Sequence, residues 1–299
     1  MFEIKDNEEI KVVFRGSYED TPDNKCVTIE DGIVEIAENA FRDFEHLEEV
    51  IFPPSLEIIS ACAFSGCKNL RRVVMNNGLT EIGDEAFSSC SSLTGINVPD
   101  TVKRIGEGAF EACVSLTHLK LSESVYMIGS NAFAFCFNLT DVTIPDSCVL
   151  VEFGAFNSCF ALEAVKLSNN MGLIDEHTFE GCRSLKIVDM PARLKKIGRG
   201  AFRGCSSLAS LILPVGVEVI GFDAFSGCTS LSRIALPKGI RDLEDMEVFG
   251  GCDSLELISF GGDEAGWRMI TRGQTLTVSG TDRKIRTPKI LFMDLKDEI

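Results

Sequence analysis

The residues with the most chemistry to offer are twelve cysteines and three histidines in a chain of 299 residues. Thiolates bind metals, attack electrophiles and form disulfides, and imidazoles move protons or bind metals. A cysteine metal site wants close pairs of the Cys-x-x-Cys kind, and the chain has none. Nine cysteines instead stand at Cys67, Cys90, Cys113, Cys136, Cys159, Cys182, Cys205, Cys228 and Cys252, 23 residues apart until a last step of 24. A fixed long spacing puts each thiol at the same place in successive units with parallel Cβ vectors, which is poor geometry for a disulfide. The expectation is a reduced ladder of small buried hydrophobes. Cys26, Cys62 and Cys148 lie outside it, and Cys62 is expected to be the most exposed thiol. His46, His118 and His177 occupy three different slots, each at least about two and a half units from the next, roughly 12 Å, so no pair shares a proton or a metal. There is no phosphate-binding glycine loop and no Gly-x-Ser-x-Gly. No enzyme, no cofactor and no small-molecule substrate is expected.

Charge narrows the partners. With 29 Lys+Arg against 45 Asp+Glu the net charge is −16, which argues against nucleic acid and anionic lipid. One stretch runs the other way. From Gly181 to Arg203 stand Arg183, Lys186, Arg193, Lys195, Lys196, Arg199 and Arg203 against Asp189 alone. Residues Arg283, Lys284, Arg286 and Lys289 add to it. Two readings stay open: a face ion-paired with neighbouring acidic units, or a docking patch for an acidic protein. No apolar run approaches the roughly 18 residues needed to cross a bilayer. The start, Met1-Phe2-Glu3-Ile4-Lys5-Asp6, has no leader pattern. The expected location is cytoplasmic as the chain stands, and cell surface or secreted if a leader has been removed.

The elements that must position these residues come from a repeat. Phe recurs at 41, 64, 87, 110, 133, 156, 179, 202 and 225, and a last copy, Phe249, arrives one residue late. Ala precedes most of them, Leu follows six residues later, and apolar residues stand nine and eleven positions on, as in Val142 and Ile144. The last two slots have the period of a strand with alternate side chains inward. Stacked copies make a parallel sheet. Pro53, Pro99, Pro145, Pro191, Pro214 and Pro237 end those strands, because proline has no N–H for a ladder. A second short strand is expected around Ile82, Ile105 and Ile128. The glycines at 83, 106, 129, 198 and 221 are expected to turn a corner with positive φ. A single helical or 3₁₀ turn should follow through Ala-Phe to Cys.

The pattern Ile-Gly-x-x-Ala-Phe-x-x-Cys-x-x-Leu-x-x-apolar-x-apolar-Pro resembles the BspA-like, Treponema-type leucine-rich repeat family, with about ten 23-residue units over residues 27–261. The segment Ile258–Ile270, ISFGGDEAGWRMI, is similar to the Gly-x-x-x-x-Trp-x-x-Ile closure of such arrays. The resemblance implies a β-rich repeat solenoid, a curved right-handed coil with a parallel sheet on its concave face and short helical or 3₁₀ turns. It implies protein binding or adhesion, often at a bacterial or protist surface. Residues 1–26 are expected to cap one end, with Phe2, Ile4, Val12 and Phe14 covering the first coil. Residues 262–299 are expected to cap the other with a short helix and a strand pair, TLTVSG with KILFMDL.

The functional expectation is a non-enzymatic scaffold binding a protein partner, itself acidic in one version. The alternative is a surface adhesin or a carbohydrate- or polymer-binding module. Exposed strand positions vary between units while the inward slots repeat. Ile187 and Ile212 on adjacent units, and Ile51 and Val74 on another pair, are apolar where solvent is expected. Lys186, Lys195, Lys196 and Arg199 are expected to ring the first pair, giving an apolar centre in a charged rim.

Overall fold

In the computed structural model each 23-residue unit is one turn of a solenoid, stacked on its neighbours through two parallel ladders. The structure describes residues 2–6, 9–14, 16, 18–276, 278–279 and 285–293. The first ladder holds the strands that follow each core Phe, such as Asp141–Thr143, Ala164–Lys166 and Ile187–Asp189. They pair in register, Val142 beside Val165 beside Val188. It has eleven strands from Cys26–Thr28 to Leu257–Phe260, so the solenoid has about eleven turns, one more than the Phe count suggests. The second ladder holds two-residue strands such as Glu81–Ile82 and Arg104–Ile105, with the Ile inward.

Between the ladders runs the core. The Phe rings stack nearly parallel, at 5.3 Å for Phe87–Phe110 and 5.4 Å for Phe133–Phe156. One coil cannot bury its apolar face alone, so stability resides in the interfaces between coils. The ladder thiols do more than fill space. Each donates to the carbonyl of the Phe one coil back, Cys90 Sγ to Phe64 O at 3.2 Å, with all nine between 3.0 and 3.3 Å. The same carbonyl accepts the N–H of Cys67 at 3.2 Å, so both lone pairs are used.

The segment carrying Phe is not the helical turn expected, except for a 3₁₀ turn at Met246–Phe249. Its N–H groups alternate. In the Phe87 coil those of Ala86, Ser88 and Cys90 close turns on Gly83, Glu85 and Phe87 carbonyls at 3.3, 3.0 and 3.2 Å. Those of Glu85, Phe87 and Ser89 cross to Glu107, Ala109 and Glu111 in the next coil at 2.6, 2.7 and 2.7 Å. A helix would turn every donor inward along its own axis; here half of them hold the next coil. Left-handed residues make the alternation work, with φ of 53° at Glu85 and 60° at Ser89.

The glycine reading needs a matching correction. Gly83, Gly106, Gly129, Gly198 and Gly221 are not among the positive-φ residues. They are glycine because the preceding coil passes too close. A Cβ on Gly106 would stand 2.6 Å from Asp84 N and from Gly83 C. In this column, four residues before Phe, Glu152 and Asp175 are the one succession of two acidic side chains. Between their coils the second ladder opens: Leu150–Val151 and Leu173–Ile174 do not pair. Two large side chains meet at this contact, whereas the small pair Ala37 and Ser60, and a single acid such as Glu152 against Gly129, leave the strands paired. The first ladder opens at three other places, between Arg72–Val74 and Gly95–Asn97, His118–Lys120 and Asp141–Thr143, and Ile187–Asp189 and Ser210–Ile212.

At the N-terminal end Phe2–Asp6 pairs antiparallel with Glu9–Phe14, which continues the second ladder onto Glu35–Ile36. Phe14 stacks on Phe41 at 5.1 Å. The side chains of Phe2, Ile4 and Val12 lie outside the described residues. At the other end the helix Glu264–Ile270 is capped by Asp263, which accepts the Gly266 N–H at 2.8 Å, and buries Trp267 and Ile270. The two C-terminal strands do not pair with each other as expected. Val278–Ser279 pairs with Ile285–Arg286, and Lys289–Phe292 extends the first ladder beside Leu257–Phe260. Arg283 and Lys284 lie outside the described residues.

Candidate functional site

The first ladder sets two outward columns per coil and varies them while its inward column stays apolar. Ile187 is 64% exposed and Ile212 is 80% exposed. They sit on adjacent coils at opposite ends of strands that do not pair. Because the ladder is open there, the inward residues Val188 and Met190 are only half-buried, whereas their counterparts Val165 and Leu167 are buried. The result is a cleft of about 400 Å³ lined by Val188, Asp189, Met190, Ile212, Pro214 and Val215. Val215, 81% exposed, was missed by the sequence reading. Its signal was present: the slot after the strand-ending Pro holds Asp100, Asp146 and Lys238 in other coils.

The basic residues are divided between surfaces. Lys186 stands beside Ile187 and pairs with Glu163 at 3.0 Å. Lys195 and Lys196 belong to the second ladder and pair with Glu218 at 3.2 Å and Glu244 at 3.4 Å. The Arg199 guanidinium lies over the Phe222 ring at 5.4 Å. Arg203 is shared between Glu180 and Asp223, each at 3.8 Å. Exposed pairs of this kind are worth about 0–1 kcal/mol each. Ile51 and Val74 are in register on neighbouring first-ladder strands, half-buried, beside the Arg72–Glu49 pair at 2.7 Å. The structure therefore groups Ile187, Ile212 and Lys186 on one ladder, Lys195, Lys196 and Arg199 away from it, and Ile51 with Val74 several coils off.

The thiols are poor nucleophiles for stated reasons. Burial pushes Cys67 and Cys113 up to about 12 and Cys148 up to about 11. Cys26, and not Cys62, is the exposed one; Cys62 is half-covered. Partial burial, then the carboxylates of Glu49 and Glu85, raise Cys26 and Cys62 above the ordinary thiol value. His177 Nδ1 is 2.6 Å from Glu180 and His46 Nδ1 is 3.2 Å from Asp20, separate surface pairs. Among the described residues no group of three His, Cys, Asp or Glu is arranged to hold a metal ion. Among them, too, no helix is long and apolar enough to cross a membrane. A larger recess, about 610 Å³, lies beside the C-terminal helix between Phe260, Met269 and Phe292, and its carboxylate, Asp263, is the helix cap.

A family model described as the BspA type leucine rich repeat region matches in six copies over residues 13–139 and 150–263. No curated protein matches the chain. Among solved structures, a leucine-rich repeat protein from Bacteroides ovatus is similar at 24% identity and TM-score 0.49, covering 98% of this chain and 90% of that one. A Treponema pallidum leucine-rich repeat protein is similar at 28% identity and TM-score 0.45, covering 69% and 78%. The pneumococcal vaccine antigen PcpA is similar at 19% identity and TM-score 0.47, covering 96% and 94%.

Proposed function

Because the chain belongs to the BspA type leucine-rich repeat family, we propose that it is a non-enzymatic scaffold that docks a protein partner on its first ladder, around Ile187 and Ile212. The observation that carries this is the open ladder itself. The solenoid closes its inward column almost everywhere, yet at Val188 and Met190 it leaves an apolar cleft lined by exposed Ile212 and Val215, with exposed Ile187 next to Val188 in the strand. An apolar centre that excludes water, set among charged neighbours, is where binding energy concentrates in a protein interface. Lys186 on the rim favours an acidic partner and makes association sensitive to salt.

The test uses the intact chain against a partner captured from the native host. Ile187→Asp with Ile212→Asp places one charge on the cleft and one beside it and should abolish that binding, while the melting temperature stays close to the parent because both side chains are exposed. Lys195→Glu with Lys196→Glu, on the other ladder, should leave the affinity nearly intact and mainly slow association. Retention of full affinity by the isoleucine variant would overturn the assignment.

A further inference from the structure

The second ladder has its own opening, and apolar residues collect over it. Between the Phe156 and Phe179 coils the Val149 and Val151 carbonyls and the Asp175 N–H, which closed junctions use, have no partner among the described residues. On that surface lie Tyr126, Met127, Val149, Leu150, Phe153 and Leu173, with Val149 56% exposed and Tyr126 47% exposed. Phe153 comes three residues after Leu150, and the Arg104–Asp84 contact at 2.8 Å shows that these two columns are neighbours on adjacent coils. On the coils that flank the patch the same columns carry charge: Lys103 and Arg104, then Glu81, before it, and Lys195 and Lys196, then Glu218, after it. Folding gives no reason for outward aliphatic and aromatic residues on three successive coils.

What borders the patch indicates what covers it. Lys103 and Arg104 form one rim, and Lys195, Lys196 and Arg199 form the other. Their acidic partners lie on the far sides: Glu81 and Asp84 are one coil beyond Arg104, and Glu218 and Glu244 are beyond Lys195 and Lys196. Lys103 has no ion pair among the described residues. Of the acids along the third edge, Glu152 accepts from Ser130 N at 3.1 Å and Asp175 accepts from Glu176 N at 2.7 Å, while Glu176 is exposed between Phe153 and Arg199 in one column. A second copy of the chain fits poorly, since a two-fold axis through the patch centre sets the Lys103 rim on the Lys195 rim. The rims are four coils apart, about 19 Å at the spacing of ladder strands, or about six residues of extended chain.

We propose that this surface is a second docking site, independent of the first-ladder reading, for an extended protein segment with an apolar centre and acidic residues at both ends about six positions apart. Leu150, Leu173 and Val149 take the apolar centre, and the two cationic rims take the carboxylates.

A display library of random nonapeptides selected against the full chain tests it. Acidic residues should be enriched at both ends of an apolar centre. Leu150→Asp with Leu173→Asp should weaken a selected peptide by at least about tenfold, as loss of a central contact does, and Ile187→Asp with Ile212→Asp should not. Should the leucine variant lower the melting temperature, Tyr126→Ser with Lys103→Glu serves in its place. The proposal is overturned by any of four results: no enrichment, neutral or basic ends, binding indifferent to these variants, or a dimer of the parent that the leucine variant abolishes. Loss of a first-ladder partner in the Ile187 and Ile212 variant bears only on the other site.

Discussion

The junction between the Phe87 and Phe110 coils and the junction between the Phe156 and Phe179 coils use the same core and differ at one column. In the first, Gly83 faces Gly106, the Gly106 N–H reaches Ile82 O at 2.8 Å, and both ladders pair. In the second, Glu152 faces Asp175, the equivalent bond is missing, and only the first ladder pairs. The Phe ring spacing does not follow the difference, at 5.3 Å and 5.7 Å here and 5.8 Å for Phe225–Phe249, where both ladders pair. The core therefore holds coils together with or without the second ladder. The opening coincides with the one place in the column where two acidic side chains succeed each other; Ala37 with Ser60, and Glu152 against Gly129, leave the ladder closed.

Raising the pH attacks what both junctions share, and it should have the largest effect. Burial moves Cys67, Cys90, Cys113, Cys136, Cys182 and Cys205 above their ordinary value near 9.0, to about 12 for Cys67 and Cys113. Below pH 9 the thiols are protonated folded and unfolded, and their contribution is complete. Above it the unfolded chain releases protons that the fold retains, so stability falls as pH rises toward the folded values. Each buried thiol contributes up to about 1.4 kcal/mol of loss per pH unit. Denaturant melts from about pH 8 to about pH 11 should show a steep fall that acidic residues cannot produce. A flat profile would mean that the thiols are not sealed inside.

Removing one ring separates the junctions. Phe110→Ala and Phe179→Ala should each cost about 3–5 kcal/mol. Phe110 has paired second-ladder strands on both sides. Phe179 has an open second ladder toward Phe156 and an open first ladder toward Phe202. The second variant should unfold in two steps, since each flank of its coil keeps only one of the two ladders, while the first keeps one transition. Calorimetry on both decides it; a single transition in Phe179→Ala would show that the open junctions are not weak points.

The repeat made the inward slots legible, because Phe, Ala, Leu and Ile at a fixed spacing have only one use. It also located Ile187 and Ile212, whose column is readable by counting from Phe. Conformation inside the Phe segment was not legible. Glycine at a corner invites a positive-φ argument, yet the left-handed residues are Asn39, Glu85, Ser89, Phe135 and His177. Their conformation is imposed by hydrogen bonds to the next coil, which no single unit contains. The split of Lys186 from Lys195 and Lys196 was hidden for a related reason. Nine residues apart in the chain, they lie on different ladders, and linear charge density does not distinguish them. Glu152 and Asp175 stood in plain view as two breaks in the glycine column, but their effect depends on the backbone that a Cβ would meet.

The smallest effects come from exchanging the two junctions at that column. Gly106→Asp, made together with Gly83→Asp so that two acids succeed each other as Glu152 and Asp175 do, should open the closed junction and destabilise by about 1–3 kcal/mol, the range for forcing atoms into filled space. The reverse change is gentler. Asp175→Gly lets the strand approach and should restore ladder bonds worth about 0.5–1.5 kcal/mol each, against about 0.5–1 kcal/mol for the added backbone freedom of glycine. The net gain should stay below about 1 kcal/mol, so melting temperature is a blunt probe. Hydrogen exchange is sharper: the amide of residue 175 should gain protection in Asp175→Gly, and that of residue 106 should lose it in the Gly83→Asp with Gly106→Asp variant. If protection at residue 175 stays as in the parent, the missing bond is not set by the paired acids, and the cause must be sought in the Met171–Gly172 turn that leads into the strand.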